Sequence, residues 1–478
     1  MNTLKFPYRS LAIGIAAIPF VGLSAQTVDT SSDRTPGAEA LADAEAQVVS
    51  PYIAPADVFV PQSSQPVAAA AGQIPPAHTN YVLLKPDAMP GIQPKAISDL
   101  TWPEPAADPV PGITTAEYPA SLACIYKMGP TYPGCVPTNN SAYNATGGSG
   151  AIAIVIAYRN PTALADLQYF SSFFGLPAPK LKIVRVTTAL GGSCATVPTN
   201  AGWNLESALD TQWAHAMAPN ARIVLVEACD NSYAQLKLAE SVAAQQLLTY
   251  GGGQVSNSWG SAEWATESAD FDDVFRANWQ PGKPISYFFS SGDAGLGAGY
   301  PSSSPWVVSV GGTTVNRDPT NLYFQSESCW AGSGGGTSLY ETYGTVFSNG
   351  GTGPWTNFQY PLFGQSNRAT PDISFNADPA SGAWVYYNGG WYVVGGTSLS
   401  APAVAGIVNN ARNKLGVAPI NGGYYTAAEN NLLYAQLLTQ KEYATNFYDV
   451  TTGSNGAAAT VGWDYCTGVG SPRGRLGK

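Results

Sequence analysis

The sequence predicts an α/β fold, a doubly wound, mostly parallel sheet flanked by helices, in a single large domain. Three features carry that expectation. The run 151–157, Ala-Ile-Ala-Ile-Val-Ile-Ala, is apolar at every position, which suits a strand covered on both faces. Further short runs at 223–227, 254–258, 285–290 and 306–310 read as strands. Helical segments fall among them, at 203–219 and 233–248, and strands that alternate with helices build a parallel sheet.

The 478 residues are 45% apolar, enough for a sizeable core, and only 11% are charged, less than half of the roughly 25% usual in soluble domains. The net charge is −10 and the isoelectric point about 4.7. So few Lys and Arg argue against nucleic-acid binding and limit positive self-repulsion in acid. Residues 1–25 have the layout of a secretory signal: basic Lys5 and Arg9, an apolar core from Leu11 to Leu23, and a small-residue cleavage site at Leu23-Ser24-Ala25. The core falls short of the ~20 residues a membrane span needs. The protein is therefore expected to be secreted and extracellular, with no membrane attachment after signal cleavage. Residues 26–110 are rich in Ala, Pro, Ser and Asp without a sustained period, and read as a propeptide or flexible leader. The domain proper is expected over 111–478.

After the strand at 151–157, Asn160-Pro161 supplies a cap and a first-turn proline. The helix it opens has Ala165, Leu167, Tyr169, Phe170 and Phe173 for its buried side. The segment 203–219 is a helix ended near Pro219. At ~100° per residue, Glu206, Asp210, Trp213 and Met217 share one face, and His215 lies about 180° from Glu206. Two carboxylates on a largely apolar face repel each other, and no Lys or Arg in the segment offsets them. Burial raises the pKa of at least one. A helix that accepts this cost is a candidate acid–base site. The six cysteines imply up to three disulfides among fifteen possible pairings. Proximity favours Cys124–Cys135 and Cys194–Cys229, which leaves Cys329–Cys466. No histidine is placed to activate a cysteine.

The stretch Gly395-Gly396-Thr397-Ser398-Leu399-Ser400-Ala401-Pro402 joins the apolar, aromatic run 391–394 to a helical interior at 403–408. Ser398 thus sits where a strand turns into a helix. Glycine permits the turn, Pro402 suits a first helical turn, and free N–H groups at the helix start stabilise an oxyanion. Ser398 is a candidate nucleophile, with an ordinary N-cap as the alternative on these residues alone. A base is scarce, because the chain has only two histidines, His215 and His78, the latter in the Pro/Ala-rich leader. Toward the C-terminus, Asp449 and Asp464 are flanked by glycines and exposed carbonyls, which suit a hard cation with oxygen ligands. Asx-turns without metal are the alternative.

Ser398, Glu206 and Asp210 together resemble the sedolisins, serine-carboxyl peptidases that share the subtilisin fold and use glutamate where subtilisins use histidine. The matching stretches are Glu206-x-x-x-Asp210, Val255-Ser256-Asn257-Ser258-Trp259-Gly260, Ser290-Ser291-Gly292-Asp293, the segment from Tyr300 to Thr313, and Gly396-Thr397-Ser398-x-Ser400-Ala401-Pro402. They occur in the family's order, from about residue 150 onward.

The resemblance implies a subtilisin-like single catalytic domain and a serine-type endopeptidase acting on proteins or peptides at acidic pH as a monomer. Ser398 would be the nucleophile, Glu206 the general base and later acid, and Asp210 the group that orients Glu206 and shares a proton with it. Asp293 would replace the oxyanion-hole asparagine of subtilisins, which requires a neutral carboxyl. Trp259 matches a tryptophan near the substrate cleft, with a buried core aromatic as the alternative. The family's calcium site carries over as one structural Ca2+, held by the side chains of Asp449 and Asp464 and the carbonyls of Val450, Thr460 and Gly462. The chain departs from the family twice. Relatives carry acidic residues where this chain has Ile156 and Arg159. The leader is also shorter and less regular than the family's folded prodomain. Two other classes remain open on sequence: a secreted binding protein on a catalytically dead fold, and a Ser-His-Asp hydrolase using His215.

Overall fold

A computed structural model of the chain describes residues 56–70, 72–85, 109, 116–277, 280, 282–342, 359, 367–415, 425–476 and 478. The expected signal, 1–25, lies outside them. The central sheet has eight strands. Seven follow the order Phe324–Cys329, Val308–Arg317, Ile285–Ser290, Gly253–Asn257, Ala151–Ala157, Arg222–Ala228 and Lys180–Arg185, and Ile373–Asn376 joins beside Val308–Arg317. Every pairing is parallel except that of the edge strand Phe324–Cys329. The Ala151–Ala157 strand is buried at all seven positions, as an uninterrupted apolar run requires when both faces are covered. From it the chain first builds the Arg222 side of the sheet and later the Gly253 side. That reversal opens a crevice at the C-terminal ends of the strands.

Two helices border this crevice. Ala201–Met217 is capped by Asn200, whose side chain accepts from the N–H groups of Gly202 and Trp203, and it is buried from Gly202 to Met217. Full burial leaves its polar side chains needing partners. Gln212 finds them on the backbone of Tyr386, donating to its carbonyl at 2.7 Å and accepting from its N–H at 3.0 Å. Trp213 donates to the Trp384 carbonyl at 3.2 Å. The helix Thr397–Leu415 packs against it. All three disulfides form in the expected pairing, Cys124–Cys135, Cys194–Cys229 and Cys329–Cys466. Among the described residues no helix is long and apolar enough to cross a membrane.

The region expected to be a featureless leader differs over residues 56–85. Val58–Phe59 pairs antiparallel with Val82–Leu84, which pairs in turn with Gly390–Gly395, while His78–Thr79 pairs with Trp259–Gly260. These strands are two or three residues long, too short to give a periodic signal. Val82–Leu84 and His78–Thr79 form because distant segments offer them open edges, and Val58–Phe59 then adds to the first.

A second group of buried acids lies away from the crevice. Glu267, Asp272 and Glu341 are all buried. Asp272 accepts from the hydroxyls of Ser304, Tyr300 and Ser268 at 2.6, 2.8 and 3.0 Å. Burial, then Glu263, push Glu267 up to about 9. Burial, then Asp272, push Glu341 up to about 9. Both folded values lie above the unfolded carboxyl range near ~4.3. The stabilisation they give is therefore full below that range and is lost as pH rises through about 9. Melting temperature followed from pH 4 to 9 should fall with pH, and Glu341→Gln should flatten the fall. A rising profile would contradict this account.

Candidate active site

The strand Gly390–Gly395 runs into Gly396, which takes φ +100° and turns the chain into the helix at Thr397. A side chain there is excluded twice, by the left-handed backbone and by collision with the Asn80 carbonyl oxygen and Asp293 Oδ2. Pro402 lies inside this helix rather than in its first turn. It has no N–H to offer the Ser398 carbonyl four residues back. The Ser258 hydroxyl reaches that carbonyl instead, at 3.3 Å, while donating more strongly to Asp210 Oδ1 at 2.6 Å.

The structure brings Ser398, Glu206, Asp210 and Asp293 together. Ser398 Oγ donates to Glu206 Oε2 at 3.0 Å. Glu206 Oε1 and Asp210 Oδ2 are buried with no hydrogen-bond donor, and no ion pair among the described residues involves either carboxyl. Burial first, then the neighbouring Asp210, hold Glu206 well above the usual carboxylate range. Burial pushes Asp210 up to about 8. One proton shared between the two relieves both the repulsion and the missing donor, so the pair titrates as a unit.

Asp293 follows the C-terminal end of Ile285–Ser290. Its Oδ1 accepts from the Thr397 N–H and hydroxyl, each at 2.8 Å. Its Oδ2 is buried with no partner, and burial pushes the group up to about 7. Below that pH Oδ2 carries a proton and becomes a donor. Both this oxygen and the Asn80 carbonyl oxygen approach Gly396 closely enough to exclude a Cβ, at 2.5 and 2.3 Å from its position, and the Asn80 carbonyl accepts the Ser398 N–H at 2.9 Å. A protonated Asp293 and the Ser398 N–H thus border the same turn, two donors of the kind an oxyanion hole uses.

His215 is elsewhere. Its Nε2 contacts the Pro177 carbonyl at 3.0 Å, and burial lowers it to about 4. The Ser-His-Asp alternative therefore fails on geometry. Trp259 resolves toward the core: its ring packs against Tyr233, Phe271 and Phe289, and its Nε1 donates to the Val155 carbonyl at 3.1 Å. Ile156 is buried opposite Glu227 in the sheet. The positive charge of Arg159 acts on Glu227, which Arg185 also pairs at 2.8 Å. Sequence reasoning assigns no role to Ser258, although it lies within the Val255–Gly260 motif, and gives no signal for Asn80.

In the C-terminal loop, Asp449 Oδ1 accepts from Gly462 N–H at 3.0 Å, and Thr460 N–H donates to Asp464 Oδ2 at 3.1 Å. Asp464 is saturated by its own loop, accepting also from Cys466 N–H, Thr467 N–H and the Thr467 hydroxyl. Asp449 Oδ1, the Gly462 carbonyl and the Val469 carbonyl converge on the Tyr443 hydroxyl at 3.0, 3.1 and 3.0 Å. A phenol has a single proton for these three acceptors, so this corner is rich in uncommitted oxygen. No cluster of three or more acidic, His or Cys ligands occurs among the described residues.

A serine seated at a helix start and bonded to a buried glutamate, on a sheet of this topology, places a serine–carboxylate pair on a subtilisin-like scaffold. Comparison with known proteins agrees. The profile of the subtilase family, Peptidase_S8, matches residues 188–463. Kumamolisin of Bacillus sp. (strain MN-32) is 33% identical over 340 residues, covering 66% of this chain and 56% of that protein. Sedolisin of Pseudomonas sp. (strain 101) is 26% identical over 370 residues, covering 70% and 58%. The solved structure of Pseudomonas sedolisin, a serine-carboxyl proteinase complexed with pseudo-iodotyrostatin, superimposes with a TM-score of 0.57 at 24% identity, over 76% of this chain and 96% of that one. The chain belongs to the subtilase family, in its sedolisin branch of serine-carboxyl peptidases. It spans little more than half the length of these two curated relatives.

The two site-bearing helices touch at Gly406, where an added Cβ would lie 2.8 Å from Met217 Cβ and 2.9 Å from the Ala214 carbonyl oxygen. Glycine-to-alanine changes inside helices ordinarily stabilise by roughly 0.5–1 kcal/mol. Gly406→Ala should instead destabilise by about 1–3 kcal/mol in denaturant unfolding, because it forces apart the helices that carry Ser398 and Glu206. A stabilised variant would show that this contact does not set their spacing.

Proposed function

We propose that this chain is a secreted serine-carboxyl endopeptidase that hydrolyses peptide bonds in proteins at acidic pH, as a monomer. The observation that carries the reading is the 3.0 Å hydrogen bond from Ser398 Oγ to Glu206 Oε2, in a pocket where Glu206 has only another carboxyl to share charge with. Ser398 attacks the scissile carbonyl as Glu206 takes its proton, and Glu206 then returns that proton to the leaving amine. Asp210, fixed by Ser258, orients Glu206 and shares a proton with it. Asp293 Oδ2–H and the Ser398 N–H receive the oxyanion. A dead binding protein has no need to hold all four groups in bonded register. The exported leader ending near residue 110 is part of this reading.

The pH dependence comes from these groups. Asp293 must be protonated to donate, and its value of about 7 puts loss of activity on the neutral side. The Glu206–Asp210 pair loses its shared proton over a similar range, since Asp210 is raised to about 8. Strong acid protonates the base itself, which gives a bell-shaped profile. Peptide hydrolysis should peak in acid, fall through neutrality and be largely gone above about pH 8. Glu206→Gln should cost about 10²–10⁴ in kcat, while His215→Ala keeps most activity. Asp293→Asn, which donates at any pH, should retain some activity and move the alkaline limb upward if Asp293 sets it. An unmoved limb would assign it to the Glu206–Asp210 pair. Maximal activity near pH 8 would overturn the mechanism.

A single structural Ca2+ fits the C-terminal loop, where Asp449 and the carbonyls of Val450, Thr460 and Gly462 would hold it, beside the unspent oxygens around Tyr443. The ion would tie down the loop and takes no part in the chemistry. Asp464 fits less well as a ligand, because its oxygens already hold the loop's own N–H groups. Thermal unfolding with Ca2+ should exceed that with chelator by several degrees, and Asp449→Ala should abolish the difference. Equal melting temperatures in the parent chain would remove the site.

A further inference from the structure

Residues 77–80 lie along one side of the crevice and show how it holds an extended peptide. The Asn80 carbonyl oxygen accepts the Ser398 N–H at 2.9 Å, and the Asn80 N–H donates to the Ser258 carbonyl at 3.3 Å. His78 and Thr79 pair antiparallel with Gly260 and Trp259. Counting back from the carbonyl at Ser398, Ala77 is the fourth residue on the acyl side. Its N–H donates to the Asn231 carbonyl at 3.0 Å. Its carbonyl accepts from Asn231 Nδ2 at 2.6 Å. Here a side chain, and not only a strand edge, grips the main chain of the occupant.

Asn231 is held so that it presents a donor. The Tyr158 hydroxyl donates to Asn231 Oδ1 at 3.1 Å, which leaves Nδ2 as the end that faces the crevice. Tyr158 follows the strand Ala151–Ala157 at φ +64°, a left-handed conformation that non-glycine residues keep where their surroundings hold them. Its N–H donates to the Ala228 carbonyl at 2.9 Å, and its ring meets that of Trp203 edge-on. Asn231 itself lies in a short turn. On one side is the Cys194–Cys229 disulfide, and on the other Ser232, which caps the helix Tyr233–Thr249. The neighbouring acid, Asp230, has its Oδ1 committed to the Ser232 N–H at 2.9 Å. A polar group fixed from two sides in this way is preorganised for its partner.

A fixed donor at this place discriminates between two kinds of substrate. A chain that continues past the third acyl-side residue brings a carbonyl oxygen to Nδ2. A chain that begins at the third residue brings an ammonium group to the same corner, because that nitrogen and the missing carbonyl belong to one peptide unit. An ammonium group only donates, so two donors then face each other and neither bond is made. We propose that the Asn231 carboxamide is a specificity-determining group. It takes the main-chain carbonyl of the fourth acyl-side residue, so the enzyme cuts within chains and disfavours releasing tripeptides from a free amino terminus. This rests on the serine-carboxyl peptidase reading and names the group that makes the activity internal.

The test uses the full chain at acidic pH and two peptides alike on both sides of the cut. One has four acyl-side residues and an acetylated end; the other has three and a free amino group. Wild type should favour the longer peptide in kcat/KM. Asn231→Ala should lower kcat/KM for it roughly 3–10-fold, mostly through KM, as loss of one remote hydrogen bond implies, and should leave the shorter peptide unchanged. Tyr158→Phe should lose part of the same preference. Asn231→Asp keeps the shape but offers a carboxylate to the ammonium group. It should gain on the shorter peptide as pH rises through about 4, the ordinary range for aspartate. A wild type that releases the tripeptide as readily as it cuts the longer peptide overturns the proposal. So does an Asn231→Ala chain that loses both activities equally, the mark of mere support of the fold, or an Asn231→Asp chain with no gain on the free amino terminus. A folded wild type that hydrolyses neither peptide nor added protein overturns the peptidase reading instead.

Discussion

Two carboxyl groups buried on one helix with no cation beside them are the constraint on which the rest of the site depends. Glu206 and Asp210 cannot both ionise in that setting, and neither has a donor for its second oxygen. A shared proton answers both needs at once, and it is also what allows a glutamate to act as base beside a serine. Two of the helix's other polar side chains are turned elsewhere. Gln212 is bound to a strand backbone, and His215 is turned to Pro177. Neither competes for the proton.

Ser398 is seated by what its neighbours lack. Gly396 has no side chain, so Asp293 and the Asn80 carbonyl can both approach the turn. Pro402 has no N–H, so the Ser398 carbonyl is left for Ser258. That hydroxyl also holds Asp210, which links the helix bearing the acid pair to the helix bearing the serine through one oxygen. Gly406 then lets the same two helices cross closely. The distances among Ser398, Glu206 and Asp210 are thus fixed by backbone proximity rather than by long side chains, which is the more rigid way to hold them.

Much of this is legible in the sequence, and the limits have physical reasons. The strand at 151–157 announces itself because burial on both faces demands an unbroken apolar run. Lys180–Arg185 does not, since an edge strand that is half exposed alternates charge with apolar residues. The acid pair is readable because helical spacing alone puts Glu206 and Asp210 together and His215 opposite. Pro402 sits one helical turn deeper than its spacing suggests, because the helix begins at Thr397 rather than nearer the proline. Residues 56–85 are unreadable for a different reason. Two of their three strands owe their existence to partners more than a hundred residues away, at Trp259–Gly260 and Gly390–Gly395, and the third, Val58–Phe59, pairs with one of these; no local pattern encodes a distant edge.

A peptidase crevice must keep strand edges open, because peptide substrates bind by completing them. An open edge is also a liability, since unpaired N–H and C=O groups invite association with any extended chain. Here the edges that flank Ser398 are closed by the chain's own residues 78–84, in the register a substrate would take. The same hydrogen bonds that would hold substrate therefore protect the crevice until it is needed.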